Sequence, residues 1–421
     1  MSQATISIII FAIVFIAIMS ERVHRSVAAT AGAVLLFLFG ILNVESCIEY
    51  IDFNTIGVLV GMMLFVAVVK QSGIFEYIAI WSAKAARGNP WFIMIAFVVI
   101  TAALSALLDN VTTVLLISPM TFSVTKILKL NPVPFFMTQI LASNIGGTAT
   151  LIGDPPNIMI GSKADLNFLD FIIVNGPVIG IVLIATLVCF YFIYGRQLKV
   201  EPAAMQEVMK LNEKDAIKDL VLIHKSVLMT ILVAAGFLLH GALHLESSVI
   251  ALSAAAIMML IGKQNAEKVI EYVEWPTIIF FVSLFIVVGG MVSTGVIDQL
   301  AQMIINVTKG DLIIAMLLIL WGSAILSAIL DNIPFVATMI PLIVTMQNSG
   351  MDVTPLWWAL SLGACLGGNG TLIGASANVV LAGISERNGY PITFINYLKV
   401  GFPMMILSVA ISTVYLMLKY A

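Results

Sequence analysis

Ser327-Ala328-Ile329-Leu330-Asp331-Asn332 and, further along the same apolar stretch, Gly367-Gly368-Asn369-Gly370-Thr371-Leu372-Ile373-Gly374 are the residues on which the fold turns. An ionised carboxylate and an unwound, glycine-rich backbone are both costly inside apolar sequence unless they line a cavity, pair, or bind something. The same pattern stands once earlier. Ser105-Ala106-Leu107-Leu108-Asp109-Asn110 is followed by Asn144-Ile145-Gly146-Gly147-Thr148-Ala149-Thr150-Leu151-Ile152-Gly153. Two copies of an expensive feature point to one two-sided machine.

Working outward, the chain is 61% hydrophobic and 10% charged, where soluble domains are charged at about a quarter of their positions. It reads as an all-α polytopic membrane protein. Lys+Arg number 20 against 23 Asp+Glu, with no basic stripe, so nucleic acid is not an expected partner. The first apolar segment has no preceding basic residue and no small-residue cleavage pattern, so it reads as a retained helix. Cys47, Cys189 and Cys365 are far apart and match neither a disulfide framework nor a metal spacing.

Crossing the hydrocarbon core takes about 20 helical residues. Apolar runs of that order fall near 4–20, 26–43, 55–70 and 171–194, and again near 226–241, 248–261, 277–292 and 395–418. Between them lie stretches broken by Asp-Asn, Gly or Pro, read as hairpins (91–128 and 312–348) and broken helices (134–163 and 356–385). An offset of 222 lays Ile48-Glu49-Tyr50 on Ile270-Glu271-Tyr272 and Asp109-Asn110 on Asp331-Asn332, and an offset of 221 lays Gly146-Gly147 on Gly367-Gly368. The chain is therefore two homologous halves, 1–195 and 226–421, joined by the polar linker 196–225. Five crossings and one re-entrant hairpin per half make about 10 transmembrane helices, and an odd number of crossings inverts one repeat relative to the other. With the N-terminus outside and the linker cytoplasmic, only Lys163, Lys309 and Lys419 of the 20 basic residues fall outside, the bias expected of a cytoplasmic membrane protein.

Within the core this reading counts three acids, Asp109, Asp154 and Asp331, and no Lys or Arg. Each acid can cap the helix that follows it, and a cap can also bind an ion or proton. Asp154 has Ala375 as its counterpart. Asn110, Asn144, Asn157, Asn332, Asn369 and Asn378, with Thr112, Thr148, Thr371 and Ser376, offer the groups that replace a solute's hydration shell, though small polar residues also join membrane helices to one another. Gly146, Gly147, Gly367 and Gly368 permit left-handed turns and close backbone approach, and Pro155-Pro156 and Pro334 free carbonyls beside the breaks. His240 and His244 share a helical face but sit at a helix end far from the acids, so no resident metal or cofactor is expected.

Paired intramembrane aspartates also define aspartyl proteases, but Leu151-Ile152-Gly153-Asp154 lacks the first glycine of their motif. Inverted repeats with broken helices fit a secondary transporter rather than an enzyme. The runs Leu108 to Thr113, Asn144 to Asn157, Asp331 to Phe335 and Leu366 to Asn378 resemble the ion transporter superfamily over nearly the whole chain. Within it they are most similar to the group holding the melanosomal P protein with its prokaryotic homologues, ArsB arsenite permeases and NhaD sodium/proton antiporters. The resemblance implies scaffold and transport domains, a homodimer, alternating access and a small inorganic ion or solute as cargo. Acids without bases favour proton- or sodium-coupled antiport of sodium or arsenite/antimonite over transport of a dicarboxylate or inorganic anion, or an anion-conducting channel.

Overall fold

The computed structural model describes residues 1–20 and 22–420. Those residues are helical with no strand, as a chain that must satisfy its own backbone in lipid requires. The first half contains α1 (Gln3–Met19), α2 (Arg25–Leu38), α3 (Val44–Tyr50), α4 (Phe53–Lys70), α5 (Ile74–Ala85), α6 (Pro90–Ser105), α7 (Asn110–Ile127), α8 (Val133–Thr148), α9 (Pro155–Ala164) and α10 (Phe168–Phe190). The linker holds α11 (Pro202–Met209). The second half contains α12 (Leu220–Leu243), α13 (Ser247–Gly262), α14 (Ala266–Glu271), α15 (Trp275–Ser293), α16 (Val296–Thr308), α17 (Leu312–Ile329), α18 (Asn332–Asn348), α19 (Thr354–Gly367), α20 (Ser376–Arg387) and α21 (Phe394–Tyr420). α12 to α21 therefore repeat α1 to α10 element for element. Among the described residues, α4, α10 with its π-helical turn, α12, α15, α17 and α21 have the length and apolarity to cross a bilayer, and α1, α2, α6 and α13 are apolar but shorter.

Two helices absent from the sequence reading, one in each half, lie beside the spans. α5 and α16 are short, carry charges at Glu76, Lys84 and Asp298, and fall between the spans, so no long apolar run announces them. Leu220 to Lys225, read as linker, already belong to α12. The linker itself lies against α5, where Lys84 Nζ is 2.5 Å from Glu213 Oε2 and Lys218 Nζ 3.4 Å from Glu76 Oε1.

Packing sorts the helices into two bodies. α4 with α13, α2 with α15, and α1 with α2 form one; α6 with α8, α17 with α19, and α7 with α20 form the core of the other. They meet asymmetrically, α4 lying on α9 while its repeat counterpart α15 lies on α18.

The hairpins turn at Asp109 and Asp331. Asp109 caps α7, its carboxylate accepting from the Thr112 N–H at 2.8 Å, and Asp331 caps α18, accepting from the Ile333 N–H at 3.1 Å. At the first break a proline starts the next segment: Pro155 opens α9, where its missing N–H costs nothing, while α20 after the second break opens at Ser376. The carbonyls freed there must find donors in a water-poor interior. Asn157 Nδ2 donates to the carbonyls of Gly147, Thr148 and Thr150, and Asn378 Nδ2 donates to those of Gly368 and Thr371. The same logic ties hairpin to break: Ser105 Oγ donates to Ser143 O at 2.7 Å and Ser327 Oγ to Ala364 O at 2.6 Å.

The glycines at the breaks do not supply left-handed turns, as the sequence reading allows. None has positive φ. They supply closeness: a Cβ on Gly146 would stand 2.1 Å from Ala102 O, and one on Gly367 2.6 Å from Ala324 O, so hairpin and broken helix touch backbone to backbone.

Candidate functional site

Where the two breaks face each other, Asn144 is the centre of a buried amide network. Its Nδ2 donates to Asn369 Oδ1 and Asn378 Oδ1, each at 2.9 Å, and its Oδ1 accepts from Asn110 Nδ2 at 3.2 Å. Asn157 Oδ1 accepts from Ser361 Oγ at 2.7 Å. Two distant sequence blocks are thus joined by side chains that the repeat brings face to face.

Beside this network lies a small chamber of about 20 Å³, lined by Asp109, Asn110, Asp154, Asn332, Glu274 and Ser376, among others. A cavity of that volume holds about one water-sized centre. Asp154 is fully buried and accepts from Asn332 Nδ2 at 3.2 and 3.3 Å. The repeat is broken here: Ala375 replaces Asp154, and Asn110, the counterpart of Asn332, turns to Asn144 instead.

Of the residues singled out in the sequence, Asp109, Asn110, Asp154, Asn332 and Ser376 line the chamber. Asp331 stands behind it, facing a second cavity. Asn144, Asn369 and Asn378 form the amide network, and Asn157 clamps a break. Thr148 donates to its own helix at Asn144 O, and Thr371 donates to Ala328 O, bracing the loop. Thr112 contributes its backbone N–H to Asp109, and Gly146, Gly147, Gly367 and Gly368 pack helix against helix. His240 spends both ring nitrogens on backbone, accepting from the Phe168 N–H at 3.0 Å and facing Leu245 O at 3.2 Å.

One expectation is overturned. The core is not free of bases, because Arg25, the first residue of α2, reaches into it. Its guanidinium lies 3.1 Å from Asp331 Oδ2, donates to Ser376 Oγ and, at 3.1 Å, to Thr277 Oγ1, and sits 5.2 Å from the centre of the Phe280 ring. An arginine at a helix end ordinarily extends toward the headgroups, and nothing in the local sequence says that this one turns inward. Glu274 and Thr277 escaped the sequence reading as well. Thr277 Oγ1 donates to Glu274 Oε2 at 3.1 Å. A signal was present: the repeat lays Asp52-x-x-Thr55 on Glu274-x-x-Thr277, and Asp52 likewise accepts from Thr55 Oγ1, at 2.7 Å, and from Ser162 Oγ, at 3.0 Å.

A sequence profile described as citrate transporter (CitMHS) matches residues 15–363. The chain belongs to the citrate transporter family. The chain is also similar to an uncharacterized transporter of Mycobacterium bovis, 42% identical over 425 aligned residues and covering 99% of both chains. The human P protein is 33% identical over 505 aligned residues, an alignment that takes in all of this chain and 60% of the P protein. Among solved structures, the YdaH transporter of Alcanivorax borkumensis, whose structure is described as having an unusual topology, superposes with a TM-score of 0.59 at 16% identity, covering 91% of this chain and 88% of that one. Citrate transporter family membership and the apolar helices make this a multi-pass membrane transporter and not an enzyme.

Proposed function

We propose that the chain is a proton- or sodium-coupled secondary transporter of a bacterial cytoplasmic membrane. It works by alternating access, with α1–α4 and α12–α15 as scaffold and the hairpins and broken helices as the moving body. The observation that carries this is the chamber: Asp109, Asp154 and Glu274 face a space sized for one small ion, and Arg25, the one base in its lining, is paired with Asp331 and not with any of the three. A buried carboxylate without a cationic partner costs about 2.5 to 3.5 kcal/mol on insertion scales, so it is held either protonated or against a bound cation. Exchange of that proton or sodium across the membrane is the work such a group performs. The cargo we infer is sodium or a small neutral solute such as arsenous acid, moved in antiport by a homodimer.

A second reading has one observation in its favour. Arg25 gives the core a cation, and the family is described as citrate transporters; a carboxylated anion that displaced Asp331 would find a guanidinium ready for bidentate binding.

The test is a proteoliposome assay with a pH-sensitive dye trapped inside and sodium, lithium, arsenite, antimonite or citrate added outside, comparing wild type with Asp154→Asn and Asp109→Asn. A solute-dependent pH change lost in both variants is the expected result. No pH change with any solute in the wild type defeats proton coupling; a citrate response lost on Arg25→Gln establishes the anion reading.

A further inference from the structure

Arg25 stands between two cavities. On one side is the acid chamber; on the other is a vestibule of about 380 Å³ that opens among α1, α18 and α20, lined by Phe15, Leu330, Asp331 and Val379 among others. Arg25 and Ser376 are the residues common to both linings. The guanidinium is also the bolt between the two bodies. Thr277 and Phe280 hold it from α15, while Asp331 and Ser376 hold it from α18 and α20. Ser376 Oγ donates to Asp331 Oδ2 at 2.7 Å, closing the ring of contacts.

The repeat supplies an internal comparison. A larger cavity, about 590 Å³, lies where α9, α12 and α13 meet, and its lining includes His240, Glu246 and Ser247. Under the offset of 222, Ser247 is the counterpart of Arg25. That cavity shares no lining residue with the chamber. One access route therefore ends at a charged side chain that can swing away, and its counterpart ends at packed helices.

We propose that Arg25 is the gate between the 380 Å³ vestibule and the acid chamber, opening when its guanidinium leaves Asp331 and Ser376. Charge makes the gate selective. A cation approaching from the vestibule meets the guanidinium first and gains the chamber only as Asp331 is neutralised or the bolt is withdrawn. The same withdrawal frees the moving body from α15, so access and movement are released together.

Met63 of α4 lines the chamber and Val379 of α20 lines the vestibule, which places a reporter on each side of the gate. In a background of Cys47→Ser, Cys189→Ser and Cys365→Ser, Met63→Cys and Val379→Cys are exposed in nanodiscs to silver ion, a thiol-reactive cation small enough for the chamber, and labelling is read as the loss of thiols that a maleimide counts after unfolding. With Arg25 present, the cysteine at 379 reacts quickly and the one at 63 slowly. Arg25→Gln speeds labelling at 63 by about tenfold or more, the factor that one lost charged hydrogen bond corresponds to, and leaves 379 unchanged; Arg25→Lys falls between. Ser376→Ala removes one contact without touching the charge and gives a smaller increase, a second route to the answer should the arginine variant fail to fold. Equal labelling at 63 with and without Arg25 and Ser376 overturns the proposal. The proposal takes from the transport reading the identity of the chamber as the ion site, but labelling needs no substrate: loss of proton coupling in the dye assay with protection of 63 intact defeats only that reading.

Discussion

Replacing Asn144 by Leu tests whether the amide network holds the two breaks together. The substitution keeps the approximate shape and removes three hydrogen bonds, to Asn110, Asn369 and Asn378. Hydrogen bonds between membrane helices average about 0.6 kcal/mol each with a maximum of about 1.7, so three sum to about 2 to 5 kcal/mol. The upper part of that range is expected, because the atoms that lose Asn144 have no second partner among the described residues: Asn378 donates to Gly368 O and Thr371 O, and Asn369 to Leu141 O, through Nδ2, which leaves both Oδ1 atoms buried and unpaired. The assay is reversible unfolding in mixed micelles by SDS titration, followed by tryptophan fluorescence, since Trp357 and Trp358 are buried on α19, the helix that leads into the second break. Thr148→Val, which loses a single bond within its own helix, is the reference and costs under about 1 kcal/mol. The double variant Asn144→Leu/Asn378→Leu is less destabilised than the sum of the singles by at least about 0.5 kcal/mol, since the two share a bond. An Asn144→Leu protein within about 0.5 kcal/mol of wild type, or a strictly additive double variant, refutes the reasoning.

Further outcomes follow from the same structure. Gly146→Ala forces α6 and α8 apart, because its Cβ would lie 2.1 Å from Ala102 O, and overpacking of this kind costs about 1 to 3 kcal/mol; Gly180→Ala, which meets nothing within 4 Å, leaves the same unfolding curve in place. Asp154→Asn abolishes coupled transport while leaving the unfolding midpoint equal to or above that of wild type, because it removes a buried ionisable group and keeps its shape; a destabilised protein would show the carboxylate to be structural. In the linker, the Lys84 ammonium 2.5 Å away holds the Glu213 carboxyl below the usual carboxylate range. A lowered value means that the contact contributes above the ordinary glutamate pKa of about 4.3 and is lost as pH falls through the folded value. Protease cleavage between Lys199 and Lys218 is therefore flat from neutral pH down to that range and rises below it, and Lys84→Gln raises cleavage already at neutral pH.

The membrane class, the two halves, the hairpin tips at Asp109 and Asp331 and the two breaks were legible in the sequence, because each is local. An aspartate before an apolar run caps a helix wherever it stands, and a glycine-rich or Pro-Pro interruption in apolar sequence stops one. Repetition at a fixed offset then doubled each signal. α5 and α16 were not legible, since they are short and charged and lie beside the spans. The glycines were recognised but their use was not: whether a glycine serves a turn or a close approach depends on the helix laid against it.

The pairing of sites across the chain was decided by tertiary structure alone. Asn332 meets Asp154 across 178 residues, and Asn144 meets Asn378 across 234. Arg25 meets Asp331 across 306. In the sequence, Arg25 is a basic residue at a helix start, indistinguishable from one that extends to the headgroups, and its flexible side chain reaches either destination. Composition and periodicity report what each segment does by itself, which suffices for helices, caps and breaks. The charge balance of the site, three facing acids and one arginine held by a fourth, is a property of segments brought together, and only the packing of α2, α15, α18 and α20 around one point determines it.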